Sequence, residues 1–443
     1  MTFEEIKEAI FEAGVIGAGG AGFPTHIKLA AQMDYLVING AECEPLIYTD
    51  YQLMEHYGEE MVIVIRQLLQ ALCIKKAVWG IKKKHSSLIA KLRTMTSSDE
   101  NIEICALDNI YPAGDELTLI HHCTGIIIPR GQLPSSKKVI ELNVETIWNL
   151  YKALFEKLPV TEKYVMIGGA VEEPMVFKVP LGTPYKELIK QVKPQIEDYE
   201  LLIGGPMMGS FASKEGYVTK TTKALLILPK ESKVYCNKEA LDLNRMKRVM
   251  SCCSQCQMCT DLCPRNKLGH QVEPHKVMNA FANGLLNHGG ALRTALGCCG
   301  CNICSYYACH HDLMPSQFMM LIKKELLKQG IKPEANEPLV TNTGVEVEIP
   351  SSRLLDKLGI KQYDKHPLWV EEALEVQKVY LPLAAHLGNP SMPLVQVGEK
   401  VNKGQLIACG SKKKISCQIH SSLEGLVSRM TETEIVIERR VVK

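Results

Sequence analysis

Apolar residues fall at helical spacing in the first dozen positions. Phe3, Ile6 and Ile10 share one face, and Thr2 with Glu5 forms a capping box that would start the helix. Gly14 stands where a glycine would end it. The pattern then changes period. "DYLVING" (residues 34–40) is an apolar run closed by Asn-Gly, which predicts a buried strand followed by a turn. A long amphipathic stretch, residues 48–72, predicts a helix. "KAVWGI" (76–81) predicts a strand, "HSSLIAKLRTM" (85–95) a helix and "NIEICAL" (101–107) another strand. Strand alternates with helix, so residues 1–158 read as an α/β domain with a largely parallel sheet.

From Lys163 the texture differs. "YVMIGGAVEEPMVFKVPLGTPYKELI" reads as a hairpin and a helix, and "LLIGGPMMG" adds a strand and a turn. Together they predict a small α+β module over residues 159–232. Residues 245–330 are rich in cysteine, with helix-like segments around the cysteines. The polar stretch "GIKPEANEPLVTNTG" predicts a linker, taken as residues 331–375. Short β-prone runs broken by Gly, Pro and Asn predict an all-β unit over residues 376–443.

Composition narrows the class. A chain of 443 residues is too long for one core, which agrees with several domains. Hydrophobic content of 46% and charged content of 23% are ordinary for a globular protein. A net charge of +2 gives no support for nucleic acid as a partner. No apolar run reaches the length of a membrane span, and the acidic N-terminus lacks the apolar core of a signal peptide. The expected setting is the reducing cytoplasm.

The 17 cysteines concentrate between Cys252 and Cys309. "CSQCQMCTDLCP" gives Cys253-x2-Cys256-x2-Cys259-x3-Cys263 followed by Pro264. That is the ferredoxin run, in which closely spaced thiolates reach several irons of one [4Fe–4S] cube and the fourth cysteine serves a second cube. A second copy is therefore expected. "CCGCNICSYYAC" supplies Cys298-x2-Cys301-x2-Cys304-x4-Cys309, with one extra residue before the last cysteine and His310 where proline usually follows. In the crossed arrangement Cys253, Cys256, Cys259 and Cys309 hold one cluster, and Cys298, Cys301, Cys304 and Cys263 the other. Zinc is the alternative, but this spacing, given twice, favours two [4Fe–4S] clusters. Cys252 and Cys299 read as spare thiols, although Cys299 competes with Cys298 for register. Cys43, Cys73, Cys105, Cys123, Cys236, Cys409 and Cys417 are scattered and read as small hydrophobes. His85, His121 and His122 read as surface or satisfied histidines.

"GAGGAGFP" follows a helix rather than a strand, which disfavours a Rossmann dinucleotide site and leaves a flexible turn as the plain reading. Three companions change that. "NGAECEP" puts Glu42 and Glu44 at the end of the first strand. "YPAGDE" brings Gly114, Asp115 and Glu116 after another, and "NVET" sets Asn143 and Thr146 at a helix start. Ligands of open α/β sheets bind at the carboxyl ends of strands, and helix N-termini favour phosphate. A flat phosphorylated cofactor suits such a set.

These motifs resemble the flavin- and NADH-binding subunit of respiratory complex I. They resemble the RnfC family more closely, and within it the PduS-type cobalamin reductases. The resemblance covers nearly the whole chain. It implies a multidomain α/β architecture: a complex I-like FMN domain, a β-grasp SLBB module, a helical two-[4Fe–4S] ferredoxin-like domain and a C-terminal barrel-sandwich hybrid. It implies that Gly17, Gly19, Lys28, Asn39, Tyr111, Gly114, Asn143 and Thr146 contact FMN, with Gly20, Gly22 and Asp115 in the same site. Phe23, Glu42, Glu44 and Glu116 would lie near the nicotinamide nucleotide. Ala18 stands where complex I has arginine, Ala41 where it has aspartate and Leu142 where it has asparagine. No lysine sits in the Met-Lys-flanked turn of a biotinyl or lipoyl carrier, so the tail is not expected to carry a group.

By this resemblance the chain takes a hydride from NADH and passes single electrons through its clusters. The acceptor would be a corrinoid, with cob(III)alamin reduced towards cob(I)alamin in support of a B12-dependent pathway such as diol degradation. An adenosyltransferase would capture the product, in the free cytoplasm or in a bacterial microcompartment. The rival readings are an RnfC-like electron-transport component, a donor to a partner reductase such as proline reductase, and a relay that binds no flavin.

Overall fold

The computed structural model describes residues 1–29, 32–238, 241–285, 289–335, 348–412 and 414–439. Helix α1 (Phe3–Glu12) starts at the expected capping box: Thr2 accepts from the Glu5 amide, and Glu5 accepts from the Thr2 amide at 2.8 Å. Gly14 then turns with φ +66, a left-handed conformation that costs glycine nothing. After a short helix α2 (Thr25–Lys28), strand β1 (Tyr35–Gly40) leads into the long helix α3 (Thr49–Ala71), bent at Tyr57. Strand β2 (Lys76–Lys82), helix α4 (Ser86–Met95) and strand β3 (Ile102–Leu107) follow. The short β4 (Ile110–Tyr111) precedes α5 (Glu116–Thr124), and β5 (Val139–Asn143) runs directly into α6 (Val144–Tyr151). The sheet is parallel, in the order β3-β2-β1-β5.

Asn39-Gly40 is not the turn its sequence suggests. Both residues belong to β1, paired with Gly80 and Ile81 of β2. An added Cβ on Gly40 would lie 2.7 Å from Met54 Sδ and 2.9 Å from Trp79 Nε1, so the glycine serves close packing inside the sheet.

The middle module is built from β6 (Glu162–Gly169), β7 (Met175–Pro180), the short helix α7 (Tyr185–Ile189), β8 (Tyr199–Ile203), β9 (Ser210–Ala212) and β10 (Ala224–Pro229). Its sheet runs β7-β6-β10-β8-β9, with β6 and β10 parallel at the centre and the other pairs antiparallel, the strand order of a β-grasp. The stretch expected to be a linker packs instead, wherever it is described; residues 336–347 lie outside the described set. β11 (Ile349–Pro350) pairs with β4, and the helix Ser351–Leu358 buries three leucines. β12 (Leu368–Val370) extends the β-grasp sheet beside β7. Trp369 stacks between His56 of α3 and Tyr164 of β6, with ring centroids 4.3 and 5.1 Å away, which clasps the first two domains together.

The C-terminal strands form a four-stranded antiparallel sheet and a three-stranded one. This unit packs on the far side of the glycine loop, where the Leu387 amide donates to Gly22 O at 3.1 Å. Lys220 of the middle module donates to Gly14 O at 2.6 Å and to Gln418 O at 3.0 Å, so one buried ammonium ties three domains. Among the described residues no helix is long and apolar enough to cross a membrane.

Candidate flavin and cluster sites

The glycine loop lies over the start of α6. The Ala18 amide donates to Thr146 Oγ1 at 3.0 Å, and the Gly17 amide to Phe23 O at 2.9 Å. Asn143 caps α6, accepting from the Glu145 amide at 3.0 Å, while its Nδ2 donates to Asp50 at 2.9 Å. A Cβ on Gly19 would stand 3.0 Å from the Asn143 side chain, so only glycine lets the loop lie this close to the cap. Gly19 and Gly20 are exposed, and a Cβ on Gly20 would meet no described atom within 4 Å. Gly22, at φ +70, and Phe23 carry the chain back towards α2. Ala18, where complex I has arginine, is buried.

A second group gathers beside it. Lys28 pairs with Glu116 at 3.1 Å and with Glu141 at 2.9 Å. Asn39 Nδ2 donates to Glu141 and to Gly114 O, both at 3.0 Å. Burial alone would lower the Lys28 ammonium, but the Glu141 and Glu116 carboxylates hold it well above the ordinary range. Burial raises Glu116, against the pull of Lys28. Glu141 was not singled out in the sequence; its signal is a glutamate within the apolar strand "VIELN". Loop amides, a lysine and an asparagine offer donors, Glu116 and Glu141 offer acceptors, and open space lies at Gly20. These residues fit FMN.

Four other residues turn elsewhere. Glu42 accepts from the Asp50 amide in the first turn of α3, and burial followed by the Asp50 charge pushes it up to about 8. Glu44 accepts from the Met207 and Met208 amides at 2.9 and 2.7 Å, in the "GGPMMG" turn of the middle module. A Cβ on Gly205 would fall 2.0 Å from that carboxylate, which excludes every side chain there. Tyr111 donates its hydroxyl to Cys301 O at 2.9 Å. Asp115 caps α5 by accepting from the Thr118 amide, and it pairs with Arg265 at 2.8 Å. Tyr111 and Asp115 thus fasten the flavin side to the cysteine-rich domain.

Buried charges surround this site. Lys223 of the middle module pairs with Asp50 at 2.6 Å, and Lys163 pairs with Glu145 of α6. Glu145 lies in the first turn of α6 and Asp50, from the first turn of α3, accepts from its cap Asn143; neither carboxylate was picked out from the sequence.

The two cysteine runs share one backbone. Gln255 (φ +58) and Gln257 (φ +61) flank Cys256, and Gly300 (φ +73) and Asn302 (φ +64) flank Cys301. This superposes Cys298 on Cys253 and Cys299 on Ser254, which sets the register in favour of Cys298. The extra residue of the second run is absorbed in a π-turn, Cys304–Ala308. Cys309 (φ −83, ψ 109) and Cys263 (φ −72, ψ 119) then meet the same extended backbone.

The cysteines of the two runs act on one another's thiols. Burial pushes the Cys259 thiol up to about 12, with further raising from Cys256, Cys309 and Cys253. Burial raises Cys263 strongly, helped by Cys299 and Cys298. Cys304 is raised by burial, then by Cys298, Cys263 and Cys259. Arg265 reaches the Cys299 thiol, and its Nη1 is buried with no hydrogen-bond partner among the described residues. A donor so placed beside cysteines suits the sulfides of a cluster. No three His, Cys, Asp or Glu side chains among the described residues converge on a single metal ion. Cys263, Cys301 and Cys304 are buried, whereas Cys256 is exposed.

Residues 10–152 match the family described as Nuo51 FMN-binding domain, residues 252–314 the 4Fe-4S dicluster domain, and residues 359–442 the RnfC barrel sandwich hybrid domain. The chain is 34% identical to the cobalamin reductase PduS of Salmonella typhimurium, over 99% of this chain and 97% of that protein. It is 33% identical to the cobalamin reductase PduS of Citrobacter freundii, over 98% and 97%. Identity to a component of the Na(+)-translocating ferredoxin:NAD(+) oxidoreductase complex of Acetobacterium woodii is 32%, over 60% of this chain and 58% of that protein.

Proposed function

The chain belongs to the family of the PduS cobalamin reductases, and from that premise we propose that it is an NADH-dependent oxidoreductase that reduces a corrinoid through FMN and two [4Fe–4S] clusters. The observation that carries this reading is the junction between the two sites. Tyr111 and Asp115 come from the segment that also supplies Gly114 and Glu116, and they bind Cys301 O and Arg265 directly. Flavin takes up a hydride from nicotinamide and yields electrons singly, which clusters relay one at a time.

The residues have separable tasks. The exposed Gly19-Gly20 backbone and the α6 start receive the phosphate, and Lys28 with Asn39 orients the ring. Glu116, held by Lys28, faces the nicotinamide nucleotide together with Phe23. The Glu44 contact with the middle module supports a fastening role for that carboxylate, in place of the nucleotide contact expected from the motif. The set Cys263, Cys298, Cys301 and Cys304, three of them buried, serves as the inner cluster next to the flavin. The set containing the exposed Cys256 serves as the outlet. Beyond it, an adenosyltransferase suits the reactive corrinoid product, in the cytoplasm or a microcompartment.

The test is anaerobic purification with assays of flavin, iron and acid-labile sulfide, then NADH oxidation with cob(III)alamin as acceptor. Bound FMN, iron for two cubes and cobalamin reduction are expected. A protein that retains iron but no FMN overturns the flavin site. Dye reduction without cobalamin reduction, even with an adenosyltransferase present, overturns the acceptor and favours an RnfC-like role.

A further inference from the structure

Cys105 and Cys123 lie outside both sites, and the scattered cysteines of the sequence read as inert hydrophobes. The fold brings these two together. Cys105 lies on β3 opposite Gly80 of β2, and Cys123 lies in the last turn of α5. A Cβ on Gly80 would come within 3.0 Å of Cys123 Sγ, so the missing side chain makes the room that the second sulfur occupies. Cys105 Sγ lies 4.0 Å from the carbonyl oxygen of His122, the residue before Cys123. Both sulfurs thus lie over Gly80, one on the strand and one on the helix above it, and both cysteines are partly exposed.

We propose that Cys105 and Cys123 form a redox-active dithiol that a low-molecular-weight disulfide oxidises to an intramolecular disulfide. The chemistry needs one nucleophile and one resolving thiol. Cys105 is the nucleophile. The neighbouring Cys123 thiol lowers that of Cys105, with the nearby Lys83 and Arg93 charges assisting, whereas Cys123 is raised by Cys105 and by burial. The Cys105 thiolate attacks one sulfur of the small disulfide and expels the first small thiolate. Cys123 then loses its proton and attacks Cys105 Sγ, expelling the second. Two protein thiols lose two electrons and two protons, and the small disulfide becomes two thiols.

The bond would pin the C-terminal turn of α5 to the sheet. The first turn of the same helix carries Glu116, with Asp115 as its cap. The pair therefore stands at the opposite end of the element that faces the flavin, away from the cluster ligands.

The experiment uses the anaerobically purified holoprotein, exposed to glutathione disulfide, alkylated and mapped by mass spectrometry without reduction. A Cys105–Cys123 linked peptide is expected, with two titratable thiols lost and both regained on treatment with dithiothreitol. Cys105→Ser is expected to abolish the linkage while leaving NADH oxidation by the untreated protein unchanged. Two results overturn the proposal: Cys105 and Cys123 both staying free to alkylate while the exposed Cys73 and Cys236 react, or a mixed disulfide at Cys105 that never passes to Cys123. The map of the unsubstituted protein decides the matter even if a variant fails to fold.

Discussion

The two cysteine runs are one local structure set in two environments. Both carry left-handed residues on either side of the middle cysteine, and both end on an extended fourth cysteine. Around the second run the core closes. Cys301 packs with Tyr111, Met207, Ile303 and Leu354, drawn from three domains and the segment that follows them. Around the first, Cys256 faces solvent, with His310 Nε2 4.0 Å from its sulfur. On the proposed function, ligand spacing sets what is bound and the surroundings set the order in which electrons pass. Burial also differentiates potentials, because desolvation penalises the more highly charged reduced cluster.

The largest effect should come from removing one ligand on each side. Cys304→Ala is expected to abolish cobalamin reduction and to stop NADH from reducing the remaining cluster, read by electron paramagnetic resonance. Cys256→Ala should also abolish cobalamin reduction, yet leave the buried cluster reducible by NADH. The reverse pattern would invert the electron order. Arg265→Met comes next: removing the charged partner of the half-buried Asp115 carboxylate, which keeps its bonds from Thr118, should cost about 2–3 kcal/mol, read as a lower urea midpoint. Glu116→Gln touches neither cysteine run. Losing a charge-assisted bond of about 1.5 kcal/mol should slow NADH-dependent reduction about tenfold with iron content intact. Lost iron would mean that Glu116 is misplaced on the flavin side.

Smaller changes probe the shared backbone. Gly300→Ala places a side chain at φ +73 and should cost about 1 kcal/mol, whereas Gln255→Gly at the equivalent position should cost nothing. Smallest is Cys299→Ser. Because Cys299 corresponds to Ser254, the iron content should not change; a loss would transfer the ligand role from Cys298.

Local signals in the sequence carried far. The capping box, Gly14, the strand–helix alternation and both cysteine runs rest on neighbours within a few residues, and such contacts are written in short motifs. What stayed illegible depends on partners far along the chain. Asn39-Gly40 has turn chemistry but lies inside a parallel sheet, because Met54 and Trp79 need the space at Gly40. Glu141 meets Lys28 across 113 positions, and Asp115 meets Arg265 across 150. The polar composition of the supposed linker hid Leu354, Leu355 and Leu358, which become a buried face only when the helix forms. Glu44 sits in a motif shared with a nucleotide site, yet its carboxylate is taken by a turn that no local pattern connects to it.

That turn also joins the middle module to the cysteine-rich domain. Met207 gives its amide to Glu44, and its carbonyl accepts from Lys238 at 3.0 Å and from Asn302 at 2.6 Å. Asn302 is also one of the left-handed residues that shape the inner cysteine run. The backbone that shapes the inner cysteine run and the latch that seats the β-grasp module share these residues. Seating of the β-grasp module and the shape of the inner cysteine run therefore rest on one set of hydrogen bonds, so a displacement of either is felt by the other.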